Sequence, residues 1–181
     1  MTGLEPAWQT PPMFELTDAF LRPLTGVIRY YRADLEHPVA GTWSIEIPLA
    51  PFSADDEYDP ATFRPGPGGP TLIETEISLD FVKLPGEGLA ALNQQVFDFP
   101  AAFNEGFIDG SIYLVATHNR VSVTRIGFGQ GDEQISARLQ VAFDFEKART
   151  GIRNRTAELE AMLLFQLVDS LPARKPPTQP G

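Results

Sequence analysis

Along residues 134–146 apolar and polar side chains alternate almost without interruption. Ile135, Ala137, Leu139, Val141, Phe143 and Phe145 fall on one side, and Gln134, Ser136, Arg138, Gln140, Asp144 and Glu146 on the other. Successive side chains of an extended chain point to opposite faces, so the pattern predicts a strand with one buried wall. The preceding run, Val121–Phe128, is also amphipathic, and Gly129-Gln130-Gly131-Asp132 between them is turn chemistry. Ser111–Thr117 is apolar on both faces and predicts a central strand covered on both sides. With His118-Asn119-Arg120 as the first turn, the three runs form an antiparallel meander.

The same alternation recurs upstream. Val27–Tyr31 predicts a first strand. In Thr42–Leu49, Trp43, Ile45, Ile47 and Leu49 share a face, and Pro48 marks a strand end or edge. In Leu72–Lys83, Ile73, Ile77, Leu79 and Phe81 are expected to point inward, and Glu74, Glu76, Ser78 and Asp80 outward. Phe14–Leu21 reads as a short helix stopped by Pro23. Gly88–Phe99 combines a helical turn at Leu89 with a short strand at Val96–Phe99.

Near the end the period changes. Leu159, Met162, Leu163, Leu167 and Val168 form a stripe at helical spacing, widened by Leu164 and Phe165. Thr156 is placed as N-cap, and Glu158 stands in the first turn, where the helix dipole favours negative charge. The expected fold is therefore α+β. It is mainly an antiparallel sandwich or partly open barrel of six to eight strands, with a C-terminal helix packed on one sheet face.

Residues 13–171 are expected to form one globular domain. Residues 1–12 and 172–181 are proline-rich tails, and 48–70 is a long proline- and glycine-rich acidic loop. Loops of that length are commonly lids, binding loops or disordered segments.

Charge and composition narrow the functional classes. The 181 residues carry 14 Lys and Arg against 24 Asp and Glu, a net charge of −10. Phosphate backbones repel such a surface, so nucleic acid is not an expected ligand, whereas a basic protein is attracted to it. Cysteine is absent, which removes disulfides, thiol nucleophiles and thiolate metal sites. No apolar run is long enough to span a bilayer and no leader is recognisable, so the expectation is a cytoplasmic protein outside the membrane.

Candidate chemistry is sparse. Gly127-Phe-Gly-Gln-Gly-Asp resembles a phosphate loop in composition, but a strand follows it, where a dinucleotide site needs a helix N-terminus. Asp55-Asp56-Glu57-Tyr58-Asp59 lacks the glycine and the distant glutamate of a calcium loop, and suits a patch facing a basic partner. Asp55, Asp56, Glu57, Tyr58, Asp59 and Phe63 are therefore the expected partner contacts. The outward row Glu74, Glu76, Asp80 suits a solvated strand face better than a glycosidase pair. His37 and His118 are the only imidazoles. Asp109, Tyr113 and His118 define an alternative ligand site at a barrel mouth. No catalytic residue, metal site or cofactor is assigned. Asn154-Arg155-Thr156 is read as a helix start.

The run Asp109-Gly-Ser-Ile-Tyr-Leu, then His118-Asn, then Val121-x-Val-x-x-Ile-x-Phe-Gly, then the strand ending Phe143-Asp-Phe-Glu, resembles small acidic bacterial proteins, among them immunity proteins of polymorphic toxin systems. The resemblance covers about residues 107–147. It implies a non-enzymatic protein that neutralises a cognate toxin by binding it, and it carries over no catalytic residue. A small-ligand-binding or hydrolytic barrel with its site near His118, and a structural assembly component, are the alternatives.

Overall fold

The computed structural model describes residues 16–53, 72–101, 104–114, 117–146 and 152–171. Ten strands run in the order β1 (Gly26–Tyr31), β2 (Trp43–Pro48), β3 (Phe52–Ser53), β4 (Leu72–Ile73), β5 (Glu76–Val82), β6 (Val96–Asp98), β7 (Ile108–Leu114), β8 (Thr117–Phe128), β9 (Gln134–Asp144) and β10 (Arg155–Val168). Seven of them close into a barrel in the circular order β8-β7-β5-β2-β1-β10-β9, with β9 returning to β8. The short strand β6 extends the wall beside the upper part of β8, and β3 and β4 form a separate two-stranded ribbon. The expected meander is present as β7-β8-β9.

The main correction is the last element. Residues 155–168 form a 14-residue strand, and the described residues contain no α-helix, so the fold is nearly all β rather than α+β, and the barrel is closed. The stretch is rich in Ala, Glu, Leu and Met, which favour helix intrinsically, but propensity is a weak prior that tertiary pairing overrides. Its burial follows a period of two: Leu159, Ala161 and Leu163 are buried, while Glu158, Glu160, Met162 and Leu164 are exposed. The helical stripe required Met162 and Leu167 to face the core, yet they are 40% and 53% exposed. Thr156 caps nothing and pairs with Ala142, and Asn154 joins the strands differently: its Oδ1 accepts from the Phe145 and Glu146 backbone N–H groups at 2.7 and 3.0 Å.

Closure uses β10 on both edges. It pairs antiparallel with β9 from Arg155↔Phe143 to Leu164↔Gln134, and parallel with β1 from Gly26↔Leu163 to Tyr31↔Val168. Gly26 sits where β1 is squeezed between its neighbours. A Cβ there would lie 2.3 Å from the Glu46 carbonyl oxygen and 3.0 Å from Leu163 Cδ2, so any side chain would force the staves apart.

Two bulges keep the inward face continuous. On β8, Val121 and Val123 point inward, then Ile126 and Phe128. The extra residue between Val123 and Arg125 shifts the register against β9, so both halves bury their apolar set. On β5, Trp43↔Val82 and Ile45↔Leu79 leave Asp80 and Phe81 opposite Ser44 alone. Phe81 adopts φ 57° there, which turns its side chain outward to 60% exposure and buries Val82. The expected inward Phe81 is thus corrected: strict alternation holds only through Leu79.

Other expectations are adjusted more modestly. Residues 17–20 form a turn instead of a helix. Leu89–Ala91 is a single 3-10 turn, and His118–Arg120 already belongs to β8. Tyr113 is exposed, so β7 is covered only on its inner face.

A barrel this narrow is filled by its own side chains. Ile28, Trp43, Ile45, Ile47, Ile77, Leu79, Ile112, Val121, Val123, Leu139 and Leu163 are buried in one cluster, joined by Leu16 before β1 and by Leu89 and Leu92 before β6. Tyr30 lies against Trp43, ring centroids 4.9 Å apart. Burial, and then the charges of Glu87 and Asp34, push its phenol pKa up.

Replacing Leu163 with Asp is expected to destabilise the protein by about 4 kcal/mol or more in urea denaturation, because an unpaired carboxylate would enter the core. Phe81→Gly is expected to shift stability by less than about 1 kcal/mol, since relief of the left-handed backbone offsets the added chain entropy. Leu79→Ala, two residues away on the inner face, should cost about 3 kcal/mol by the same measurement.

Candidate functional site

With the interior filled, recognition has the outer wall to work with, and two concavities there are well defined. The first is a groove of about 470 Å³ over β6, β8, β9 and β10, lined by Val96, Arg125, Gly127, Ser136, Arg138 and Glu160 among others. Its charges are already matched. Arg138 lies 3.3 Å from Glu158 and 3.1 Å from Glu160, which together push its guanidinium pKa up, and Arg125 is 3.4 Å from Asp98. Exposed pairs of this kind contribute little to stability, but they leave little net field for a charged ligand.

The second concavity, about 510 Å³, lies at the end of the barrel where β2 finishes and β5 begins. Leu24, Pro48, Leu49, Pro51, Glu74, Thr75, Glu76 and Tyr113 line it. Its position follows from local chain chemistry. Pro48 closes β2, and Leu24 N–H donates to its carbonyl at 2.8 Å, which brings the segment before β1 over the strand end. Leu49 N–H donates to the Thr75 carbonyl at 2.9 Å, and Thr75 Oγ1 donates to the Tyr113 carbonyl at 2.6 Å. Four separate segments are tied together by these bonds.

The cleft has an apolar floor and an acidic rim. Leu24 and Tyr113 are 46% and 49% exposed, so they bring carbon surface to the cleft. Glu74 and Glu76 are exposed, and neither has an ion-pair partner among the described residues. Glu76 Oε1 accepts only from Ser78 Oγ, at 3.4 Å.

The residues singled out from the sequence distribute as follows. Asp55, Asp56, Glu57, Tyr58, Asp59 and Phe63 lie outside the described residues. Tyr113 and His118 face each other across the β7–β8 ladder, rings 5.0 Å apart at 62°. Asp109 is not brought to them. It stands four residues along β7, about 13 Å away by strand rise, where it accepts from Arg120 Nε at 2.9 Å. Arg120 also lies over the Phe107 ring at 5.0 Å. All three side chains stand on the outer face, while Ile108, Ile112 and Leu114 point inward. His37 sits in a turn, its Nδ1 accepting from Val39 N–H at 3.3 Å.

Asn119, between His118 and Arg120, holds the hairpin from inside. Its Nδ2 is placed to donate to the carbonyls of Leu114 and Thr117, each at 3.1 Å, and to that of Ile112 at 3.4 Å. The side chain is buried, and its Oδ1 has no hydrogen-bond partner among the described residues. From the sequence, His118-Asn119-Arg120 is expected to be a turn; in the structure Asn119 is a buried strand residue. Its position in an alternating strand, at an inward step next to Val121, was the available sign that it is buried.

Among the described residues no group of three or more His, Asp or Glu side chains is placed to hold a metal ion, and no helix is long and apolar enough to cross a membrane. The class defined by the fold is a closed, side-chain-filled seven-stranded β-barrel with an acidic cleft at one end. No family model, curated protein or solved structure matches the chain.

Asn119→Ala would leave the Leu114 and Thr117 carbonyls without this donor. It is expected to cost about 1–3 kcal/mol, read by thermal or urea unfolding, and to speed amide hydrogen exchange locally at the β7–β8 hairpin.

Proposed function

We propose that this chain is a non-catalytic binding protein that seats a basic protein on the cleft formed by Leu24, Pro48, Pro51, Glu74, Glu76 and Tyr113. The observation that carries the reading is the pairing of half-exposed apolar side chains with two carboxylates that no cation among the described residues neutralises. The net charge of −10 supports it, since an acidic protein draws a basic partner in by long-range attraction. The filled barrel supports it as well, because a rigid scaffold presents a surface without paying to order it. An immunity protein that neutralises a toxin by occupying it is the most concrete form of this function, in keeping with the resemblance over residues 107–147. The alternative hydrolytic or small-ligand role has less support, as Asp109 is engaged with Arg120 away from Tyr113 and His118.

The test is co-expression of the full chain with the products of the genes flanking its own. Size-exclusion chromatography and rescue of growth are the readouts. The expected result is a stable complex with a basic product whose toxicity is suppressed. In that complex Glu74→Gln/Glu76→Gln should lower the association rate about five- to twenty-fold at low salt, with the difference shrinking as salt rises. No complex with any flanking product, or a complex formed equally fast by the double variant, would overturn the proposal.

A further inference from the structure

We infer that the cleft selects arginine: its natural occupant is a guanidinium-bearing side chain of the partner, in preference to a lysine. The inference rests on the binding-protein reading above and specifies what that site recognises.

Three features of the cleft converge on this chemistry. The first is charge. Glu74 and Glu76 supply two carboxylates and the described lining residues include no cation, which favours a positive occupant. The second is the wall. Leu24, Pro48, Pro51 and the Tyr113 ring are carbon surfaces, and a cation entering among them leaves part of its hydration behind. An ammonium is compact and strongly hydrated, so that loss penalises lysine. A guanidinium is planar, weakly hydrated on its faces and able to stack on an aromatic ring. The third is geometry. Tyr113 is held in place twice: its ring packs against His118, and its backbone carbonyl accepts from Thr75 Oγ1. Thr75 lies between the two glutamates in sequence, so the same hydrogen bond ties the backbone of the Glu74–Glu76 segment to the backbone of β7 at Tyr113.

A stacked guanidinium keeps its edge donors free for a carboxylate, which can accept two of them in parallel. The three methylenes of an arginine stem have Leu24 and the prolines to lie on. Glu76 already accepts a long bond from Ser78 on one oxygen, whereas Glu74 accepts no side-chain hydrogen bond from the described residues. The contrast with the other groove is instructive. Arg138 there already lies between Glu158 and Glu160, so that surface carries its own arginine, and the cleft at Tyr113 lacks one.

The experiment is a titration of the isotope-labelled 181-residue chain with N-acetyl-arginine methylamide and, separately, its lysine counterpart, followed by amide chemical shifts. The arginine derivative is expected to move the resonances of Leu24, Thr75, Glu76, Tyr113 and Leu114, and to bind about ten-fold tighter than the lysine derivative. Glu74→Gln should abolish most of the response. Tyr113→Phe should keep the preference and Tyr113→Ala should lose it, with unfolding temperature confirming that both variants remain folded. Equal binding of the two derivatives, or shifts spread over the surface instead of the cleft, would overturn the inference. The two levels separate cleanly. A partner complex sensitive to Glu74 and Glu76 but without arginine preference sinks only this inference. Arginine preference without any partner complex sinks the binding-protein reading and leaves the selectivity standing.

Discussion

Closure of the sheet depends on β10, the last strand, lying between β9 on one edge and β1 on the other, with the parallel Gly26↔Leu163 register as the final seam. Chain order makes this seam expensive, because its partners are far apart in sequence and loop-closure entropy is lost before the contact forms. What repays it is burial. Leu159, Ala161 and Leu163 enter a core already lined by Ile28, Trp43, Ile135 and Leu139, and each large side chain removed from water contributes about 1.5–3 kcal/mol. Closure also covers both edges of β1, with β2 on one side and the Leu163–Val168 half of β10 on the other, so β1 offers no open edge for pairing to other chains. The glycine at position 26 is the local concession that lets three staves approach at this point.

A closed barrel of seven strands imposes further requirements on the chain. The interior is narrow, so the staves present mainly apolar side chains inward, with the hydrogen-bonded Asn119 on β8 as a polar exception. Strict alternation does not always satisfy this, and the two bulges are where it fails. The extra residue on β8 restores the inward face after Val123. The bulge on β5 places Val82 in the core and turns Phe81 out, with left-handed backbone at a non-glycine residue. The β8–β9 turn is similarly structural. Gly131 N–H donates to Asn93 Oδ1 at 3.0 Å, which ties the glycine-rich turn to the 3-10 segment.

The cleft at Tyr113 collects the end of β2, the entry to β1, the break between β4 and β5 and the outer face of β7. Hydrogen bonds through Leu24, Leu49 and Thr75 hold these pieces in place. An acidic rim around a carbon floor is suited to a cation that is poorly hydrated, and the strongly negative chain adds attraction at longer range. The other concavity uses similar residue types but satisfies them internally through Arg138 and Arg125. Charge already paired holds a surface together, whereas charge left unpaired is available to a partner.

Much of the barrel was legible from periodicity. Strands β1, β2, β8 and β9 and the meander follow from alternation, because a period of two has a single structural meaning wherever one face is buried. The outward row Glu74, Glu76 and Ser78 was legible for the same reason. Of the cleft residues, Tyr113 and the two glutamates stood out in the sequence. Leu24 and Pro51 did not, and Pro48 did so only as a strand end, since their meeting depends on hydrogen bonds between segments distant along the chain. Residues 155–168 show where local reading ends. Ala, Glu, Leu and Met there satisfy a helical stripe and a strand alternation almost equally well. The choice was made by two unpaired strand edges, on β1 and β9, whose backbone groups β10 satisfies. The sequence alone determined which side chains could face a core. Only the tertiary structure decided that the last of them would be a stave rather than a helix, because the pairing partners that outweigh intrinsic propensity exist only once the sheet is assembled.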